Sequence, residues 1–279
     1  MLFKNLVSIL LLAAQVEFAA AADKIIFDGS TGMLPLASAL AKAYQEKFTD
    51  PEFEFGKGLG TGARLRALAD GKIHIALASH GIEPAEIQKG NLQVIQIAKG
   101  AIVFAVNGVS MSNMTEEQIC GVYSGKIVDW QSLGAAPASI VVMTRPPTEV
   151  DSEVIREKLG CFKNLQEIDN ARVMTRGGDM AKGLATTANA IGMTTMTVVE
   201  QSKGTVKALT LNGIAPSAEN VKSGRYFLTR DFYLVIKGKP VPSVKKFLDF
   251  VHSPEGDRVI GTNGAIPMRQ AEGATSAVQ

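Results

Sequence analysis

Short apolar runs alternate with longer segments of helical periodicity along most of the chain. The strand-like runs cover residues 24–27, 53–55, 73–78, 94–98, 101–107, 140–144, 190–193 and 232–236. The helix-like segments cover residues 34–48, 63–69, 116–123, 151–159, 179–187 and 241–251. Strands that alternate with helices of this length predict an α/β fold with mixed, mostly parallel sheets.

Several predicted helices begin at residues that suit an N-terminal cap. Thr115 and Gln118 have the spacing of a capping box, in which each side chain bonds to the backbone of the other residue. Asp151 and Asp179 each stand where a carboxylate could cap the helix that follows.

The two ends of the chain do not share the α/β pattern. Residues 1–22 combine an early lysine, an apolar stretch at 6–14 and an alanine run at 20–22, which predicts a secretory signal peptide and a periplasmic protein. A membrane anchor is the alternative, but the apolar stretch is too short for about 30 Å of hydrocarbon. Residues 271–279 are polar and small, and we expect a disordered tail there.

Composition excludes some kinds of partner and cofactor. The 279 residues are 46% hydrophobic and carry a net charge of +2, which does not suggest a nucleic-acid partner. The three histidines are scattered and no zinc-like spacing occurs, so we expect neither a metal nor a cofactor. Cys120 and Cys161 could form a disulfide in an oxidising compartment or remain as two buried thiols, and the sequence leaves both open.

Two glycine-rich loops each follow a predicted strand and precede a helix. The first contains Ser30, Thr31 and Gly32, and the second contains Thr61. Unpaired amides and positive partial charge at a helix N-terminus suit an anion. The simpler explanation is that these hydroxyls cap the helices, which is worth ~1 kcal/mol each.

Three further positions could meet a ligand. Arg145 follows a predicted strand, where its planar guanidinium could bind an oxyanion, although it could equally pair with Glu149 or Asp151 on the surface. Ser79 and His80 end another strand, and His80 could donate to an anion or simply face solvent.

Known nucleotide and catalytic motifs are missing. The sequence contains no G-x-x-x-x-G-K-[ST] loop, and the glycines at 58–62 lack the third glycine of a dinucleotide fingerprint. It also contains no G-x-S-x-G, H-E-x-x-H or S-x-x-K pattern, so we expect no enzyme.

In series, these loops resemble the periplasmic phosphate-binding protein of ABC importers and its wider class of substrate-binding proteins. The matching pieces include "GSTGMLPLASALAKAY", "GLGTGARLRALADGKIHIALASHGI", "IVVMTRP" and "NAIGMTTMT". The resemblance implies a type II periplasmic binding protein fold, with two lobes and a ligand cleft between them. The lobes would be 23–102 with 230–270, and 103–229.

The resemblance also implies roles for single residues. Ser30, Thr31, Gly32 and Met33 match the first anion-binding loop, Thr61 matches a ligand hydroxyl, and Arg145 matches the ligand arginine.

Two positions depart from the family pattern. His80 stands where the family has an aspartate, and Asp151 with Ser152 stands in place of a Ser-Gly-Thr helix start. The ligand therefore stays open between phosphate, another oxyanion and an anionic organic solute.

The function implied is capture of a small anionic ligand by a monomer that delivers it to an ABC transporter permease. A sensor that presents its ligand to a signalling kinase would have the same fold, and the sequence does not separate the two. An exported hydrolase that recruits Ser79 and His80 is the third hypothesis.

Overall fold

The computed structural model describes residues 24–80 and 82–268. The predicted signal peptide, 1–22, and the predicted tail, 271–279, lie outside these residues. Within the described residues, no helix has both the length and the apolar character needed to cross a bilayer.

The strands are β1 Lys24–Gly29, β2 Glu52–Phe55, β3 Ile75–Ala78, β4 Leu92–Asn107, β5 Asn113–Met114, β6 Val141–Thr144, β7 Arg172–Val173, β8 Ala190–Thr195, β9 Val206–Ala208, β10 Thr210–Leu211, β11 Thr229–Lys237 and β12 Ala265–Pro267. The α-helices are α1 Leu34–Gln45, α2 Thr61–Ala69, α3 Pro84–Gly90, α4 Glu116–Tyr123, α5 Val150–Lys158, α6 Gly177–Thr186, α7 Met196–Gln201, α8 Ala218–Lys222, α9 Pro242–Val251 and α10 Pro254–Thr262.

The first lobe is built on a mixed sheet with the strand order β2-β1-β3-β11-β4. Strands β1, β2 and β3 are parallel, and β11 runs antiparallel to β3 and β4. Side chains alternate between the two faces of the sheet. Phe27 and Leu77 pack in one hydrophobic cluster with α1 and α9, while Ala76 and Ala78 pack in another with α2. Helices therefore cover both faces of the sheet, as in other α/β proteins.

Strand β4 belongs to both lobes. Its residues 92–101 pair with β11, and its residues 102–107 pair with β8. The prediction of two strands here, 94–98 and 101–107, is wrong because the chain stays extended through Gly100. A Cβ at Gly100 would lie 2.8 Å from the ring of Phe232, so glycine lets that ring pack on the strand.

The second lobe continues from β4 through β8, β6 and β7. Strand β6 is parallel to β7 and β8, and the buried core of this lobe includes Phe104, Trp130 and Ile191. The chain returns to the first sheet at Thr229, which pairs with Ala101. The lobe boundaries at 102/103 and 229/230 stay a prediction.

The helix starts follow the sequence in one case and differ in two. The capping box is confirmed, since the Gln118 amide donates to Thr115 Oγ1 and the Thr115 amide donates to Gln118 Oε1. The prediction that Asp151 and Asp179 are the N-terminal caps of the helices that follow them is wrong. Helices α5 and α6 already begin at Val150 and Gly177, which places both carboxylates inside the first turn.

A disulfide joins two parts of the second lobe. Cys120 on α4 is bonded to Cys161 in the short 3₁₀ helix after α5, with their Cα atoms 6.2 Å apart. The bridge closes a loop with a sequence separation of 41 residues and fastens α4 to the segment that follows α5.

The lobes also touch across the cleft. The amide of Gly177 donates to Thr31 Oγ1 over 3.1 Å, and a Cβ at Gly177 would lie 2.9 Å from the carbonyl oxygen of Thr31. Arg230 on β11 forms an ion pair with Asp151 on α5, and both side chains are buried. The structure is therefore a closed arrangement, in which the start of α6 and the start of α5 lie against the first lobe.

We expect the Cys120→Ser/Cys161→Ser double variant to unfold with a free energy about 2–4 kcal/mol lower than the parent, because the reduced chain gains loop entropy when unfolded. Urea titration of both proteins without reductant measures the difference. The parent with reductant should approach the double variant, and equal stability of all three samples would contradict the prediction.

Asp151→Asn should lower the free energy of unfolding by roughly 3–5 kcal/mol, because it leaves the buried Arg230 charge without its partner. Asp249→Asn is the control, since it breaks an exposed ion pair with Lys245 and should cost no more than ~0.5 kcal/mol. Thermal and urea unfolding measure the loss of stability in both variants. Equal losses would show that the buried interlobe ion pair contributes no more to stability than an exposed one.

Candidate functional site

A cavity of about 350 Å³ lies in the cleft between the lobes. Loops from the first lobe and helix starts from the second lobe form its walls. The lining residues are Gly29, Ser30, Thr31, Gly58, Leu59, Gly60, Thr61, Arg64, Ser79, His80, Thr148, Glu149, Val150, Thr175 and Arg176.

The carboxylate of Asp28 holds the two glycine-rich loops together. Its Oδ1 accepts hydrogen bonds from the amides of Gly29, at 2.7 Å, and Gly58, at 2.9 Å. Gly29 has φ +135°, and a Cβ there would lie 2.3 Å from the carbonyl oxygen of Leu77. Only glycine fits this close approach of β1 and β3, and the turn that follows brings Ser30 into the cavity wall.

Hydroxyl groups line the first-lobe side. Ser30 Oγ and Ser79 Oγ are 2.6 Å apart, and Arg230 Nη2 donates to Ser30 Oγ over 3.2 Å. Thr31 and Thr61 complete this wall. Of the predicted ligand residues, Ser30, Thr31, Thr61, Ser79 and His80 are brought together at the cavity.

Three α-helices begin at the cavity without a capping side chain. The N-cap residues of α2, α5 and α6 are Gly60, Glu149 and Arg176, and each of them lines the cavity. None of these N-caps makes a side-chain hydrogen bond to its helix. First-turn amides have no partner within their own helix and carry the positive end of its dipole. The three helix starts therefore bring positive partial charge to the cavity, although the Gly177 amide of α6 is already bonded to Thr31 Oγ1.

Arg64 brings a full positive charge to the same wall. It stands on the first turn of α2 and is only 3% exposed. Within the part of the chain that the structure describes, its Nε and Nη2 have no hydrogen-bond partner. Burial lowers the pKa of Arg64, and the charge of Glu86 opposes this shift. An arginine stays protonated in proteins nonetheless, so the guanidinium is a charged donor that lacks an acceptor.

His80 lies at the rim of the cavity and remains exposed to solvent. Neighbouring protein atoms partly desolvate its imidazole and lower its pKa, and the positive charges of Arg64 and Arg230 act in the same direction. The negative charges of Glu153 and Glu149 act in the opposite direction and raise the pKa, without cancelling the shift. The lowered pKa means that this environment favours the neutral imidazole of His80 over the imidazolium.

Arg145 lies behind the second-lobe wall instead of in it. Its side chain is 1% exposed, with Nη1 donating to the Met174 carbonyl over 2.7 Å and Nη2 to Glu149 Oε2 over 2.5 Å. Glu149 lines the cavity, and Met174 directly precedes Thr175 in the wall. In this arrangement Arg145 neutralises Glu149 and supports the wall.

The other predicted ligand residues also lie away from the cavity. Met33 is buried in the first-lobe core. Gly32 packs against the guanidinium of Arg230, which would lie 2.5 Å from a Cβ at Gly32. Asp151 is paired with that arginine, and Ser152 Oγ accepts a hydrogen bond from Arg156 Nε at 3.3 Å.

Sequence reasoning missed Arg64, Arg176 and Glu149 as cavity residues. A usable signal existed for Arg64, which follows the second glycine-rich loop by two positions in "GLGTGAR" and so stands on the first turn of a helix predicted to bind an anion. Glu149 and Arg176 lie in loops, and no local pattern distinguishes them from surface charges.

Known proteins agree with this architecture. A model of the PBP superfamily domain matches residues 15–255. The phosphate-binding protein PstS of Bacillus subtilis is 27% identical over 253 residues, which cover 89% of this chain and 82% of that protein. A crystal structure from Clostridium perfringens, named as a phosphate ABC transporter substrate-binding protein with bound phosphate, is 28% identical with a TM-score of 0.72 and covers 88% of this chain and 100% of that one.

More distant structures are similar in fold alone. The periplasmic molybdate-binding protein of Azotobacter vinelandii is 12% identical with a TM-score of 0.59, and the similarity covers 88% of this chain and 99% of that one. Because the family model matches most of the chain, from residue 15 to residue 255, and the two-lobe architecture agrees with it, the protein belongs to the PBP superfamily.

Proposed function

We propose that the protein is a periplasmic solute-binding protein that captures a phosphate-like oxyanion in its cleft and delivers it to an ABC transporter permease. The observation that carries the proposal is the buried guanidinium of Arg64, whose Nε and Nη2 have no hydrogen-bond partner among residues 24–80 and 82–268, beside three helix N-termini without side-chain caps. The names of the Bacillus subtilis and Clostridium perfringens proteins support the same ligand class and the same transport role.

The charges around the cavity favour an anion. Arg64 and Arg176 line it, and the charge of the lining carboxylate, Glu149, is balanced by its ion pair with Arg145. An oxyanion there would accept hydrogen bonds from a guanidinium, from hydroxyls and from helix amides, and charge-assisted bonds of this kind are the strong ones. The ligand would replace the water that a buried charge loses on folding.

The same geometry favours binding without turnover. The hydroxyl of Ser79 pairs with the hydroxyl of Ser30, which is not a general base and cannot activate a nucleophile. Ligand binding would instead favour the closed arrangement of the lobes, which the permease would recognise.

The compartment and the assembly follow from the same proposal. A permease receives its ligand outside the cytoplasm, and the Cys120–Cys161 disulfide suits an oxidising compartment such as the periplasm. One chain contains both walls of the cleft, so a monomer suffices for binding.

Arg64→Ala should weaken the binding of inorganic phosphate at least tenfold, or ~1.4 kcal/mol, because it removes the charged donor at the anion site. Calorimetric titration of the purified mature protein measures this loss. Arg66→Ala is the matched control, since Arg66 is on the same helix but exposed, and its affinity should stay within about twofold of the parent.

Both variants should show the far-UV circular dichroism of the parent, so that a loss of affinity is not a loss of fold. An unchanged affinity in folded Arg64→Ala would remove Arg64 from the site. If the parent bound neither phosphate nor any related oxyanion, the proposed function itself would be wrong.

The titration of His80 gives an independent test of where the anion lies. We expect its NMR-detected pKa to lie below the ordinary value of about 6.5 in the free protein and to rise when phosphate is added, because an anion stabilises the imidazolium. In Arg64→Ala the pKa of free His80 should also rise, since one repelling charge is gone. If the pKa of His80 changed neither when phosphate is added nor in Arg64→Ala, the anion would have to lie away from His80 and Arg64.

A lowered pKa also makes stability depend on pH. Neutral His80 contributes to stability above its unfolded pKa of about 6.5, and this contribution is lost as the pH falls below that value, because the unfolded chain then binds the proton more readily.

A further inference from the structure

The cleft stays larger than a bare oxyanion requires although its lobes already touch. Thr31 and Gly177 are in contact across the cleft, and Arg230 and Asp151 form a buried ion pair between the lobes. These contacts prevent the two walls from moving closer at those points. A cavity of about 350 Å³ that opens to solvent is therefore present while the lobes are in contact.

This volume is too large for a tetrahedral oxyanion alone. Such an ion has five heavy atoms, and five water-sized atoms at about 30 Å³ each fill roughly 150 Å³. Cavities of about 300–1,000 Å³ are typical of sites for organic small molecules. More than half of the cavity would remain for water or for a substituent on the oxyanion.

The two lobes offer different chemistry to a ligand. The first lobe presents Arg64, Ser30 and Thr61, whose guanidinium and hydroxyl groups are hydrogen-bond donors of the kind that an oxyanion accepts from. The second lobe presents Arg176 and also Glu149, whose carboxylate is 35% exposed and uses Oε2 to accept from Arg145. The ion pair with Arg145 offsets the charge of this carboxylate, but a carboxylate has further lone pairs that can accept a hydrogen bond from a hydroxyl or an ammonium group.

Two apolar residues in the lining also favour a ligand with an organic substituent over a bare oxyanion. Leu59 comes from the loop before α2, and Val150 comes from the first turn of α5. Both can contact the carbon atoms of an organic substituent, whereas a bare oxyanion gains nothing from them.

We propose that the ligand is a phosphate monoester or phosphonate whose organic substituent carries a hydroxyl or amine donor. The phosphoryl or phosphonyl group binds at Arg64 and the start of α2. The substituent extends toward Val150 and donates to Glu149. This inference rests on the proposed function and specifies its ligand class.

Calorimetric titration with four probes tests the ligand class. The probes are inorganic phosphate, methylphosphonate, 2-aminoethylphosphonate and glycerol 3-phosphate. We expect 2-aminoethylphosphonate or glycerol 3-phosphate to bind at least tenfold more tightly than both inorganic phosphate and methylphosphonate, which have no hydroxyl or amine on an organic substituent.

Glu149→Gln tests the placement of the substituent. It retains an oxygen that accepts from Arg145 but removes the negative charge, so the preference for the donor-bearing probe over methylphosphonate should fall at least fivefold. Glu157→Gln is the matched control, because Glu157 is exposed near the end of the same helix, and it should leave that preference unchanged.

The outcomes separate the two proposals. Inorganic phosphate that binds as tightly as the organic probes would overturn this inference and leave the proposed function intact. A preference that survives Glu149→Gln would overturn the placement against Glu149. Binding of none of the four probes would overturn the inference together with the proposed function.

Discussion

The structure depends on how it balances three buried arginines. Arg145 is neutralised by Glu149, and Arg230 is neutralised by Asp151, so two of these charges are paired within the protein. Arg64 is buried as deeply, yet two of its guanidinium nitrogens find no partner in the described residues. An uncompensated buried charge costs several kcal/mol, and an anion in the adjacent cavity would offset that cost. The paired arginines shape the walls, and the unpaired one provides the attraction.

One of these arginines, Arg230, connects the site to the contact between the lobes. Arg230 donates to Ser30 of the first lobe and to Asp151 of the second, so it links the cavity wall to the closure of the cleft. Strand β4 runs through both sheets and gives the lobes a common axis. A ligand that contacts both walls stabilises the closed arrangement by the difference of its affinities for the closed and open forms.

The features that could be predicted from the sequence are those that depend on residues close together in the chain. The capping box at Thr115 and the loops that bring Ser30 and Thr61 to the cavity depend on neighbours in the chain, and they could be predicted from it. The pairing of Asp151 with Arg230 joins residues 79 positions apart, and no periodicity reveals such a contact. Arg64 was missed because arginines on helices are usually exposed, and its burial results from the packing of α2 against the sheet.

The position of a bound oxyanion would show whether Arg64 and the start of α2 form the anion site. A crystal of the mature protein grown with arsenate, a tetrahedral oxyanion with strong anomalous scattering, would locate the anion without reference to any variant. We expect an anomalous peak within hydrogen-bonding distance of the Arg64 guanidinium and the first amides of α2. A peak coordinated by Arg145 with Glu149 displaced, or no peak in the cleft, would contradict it.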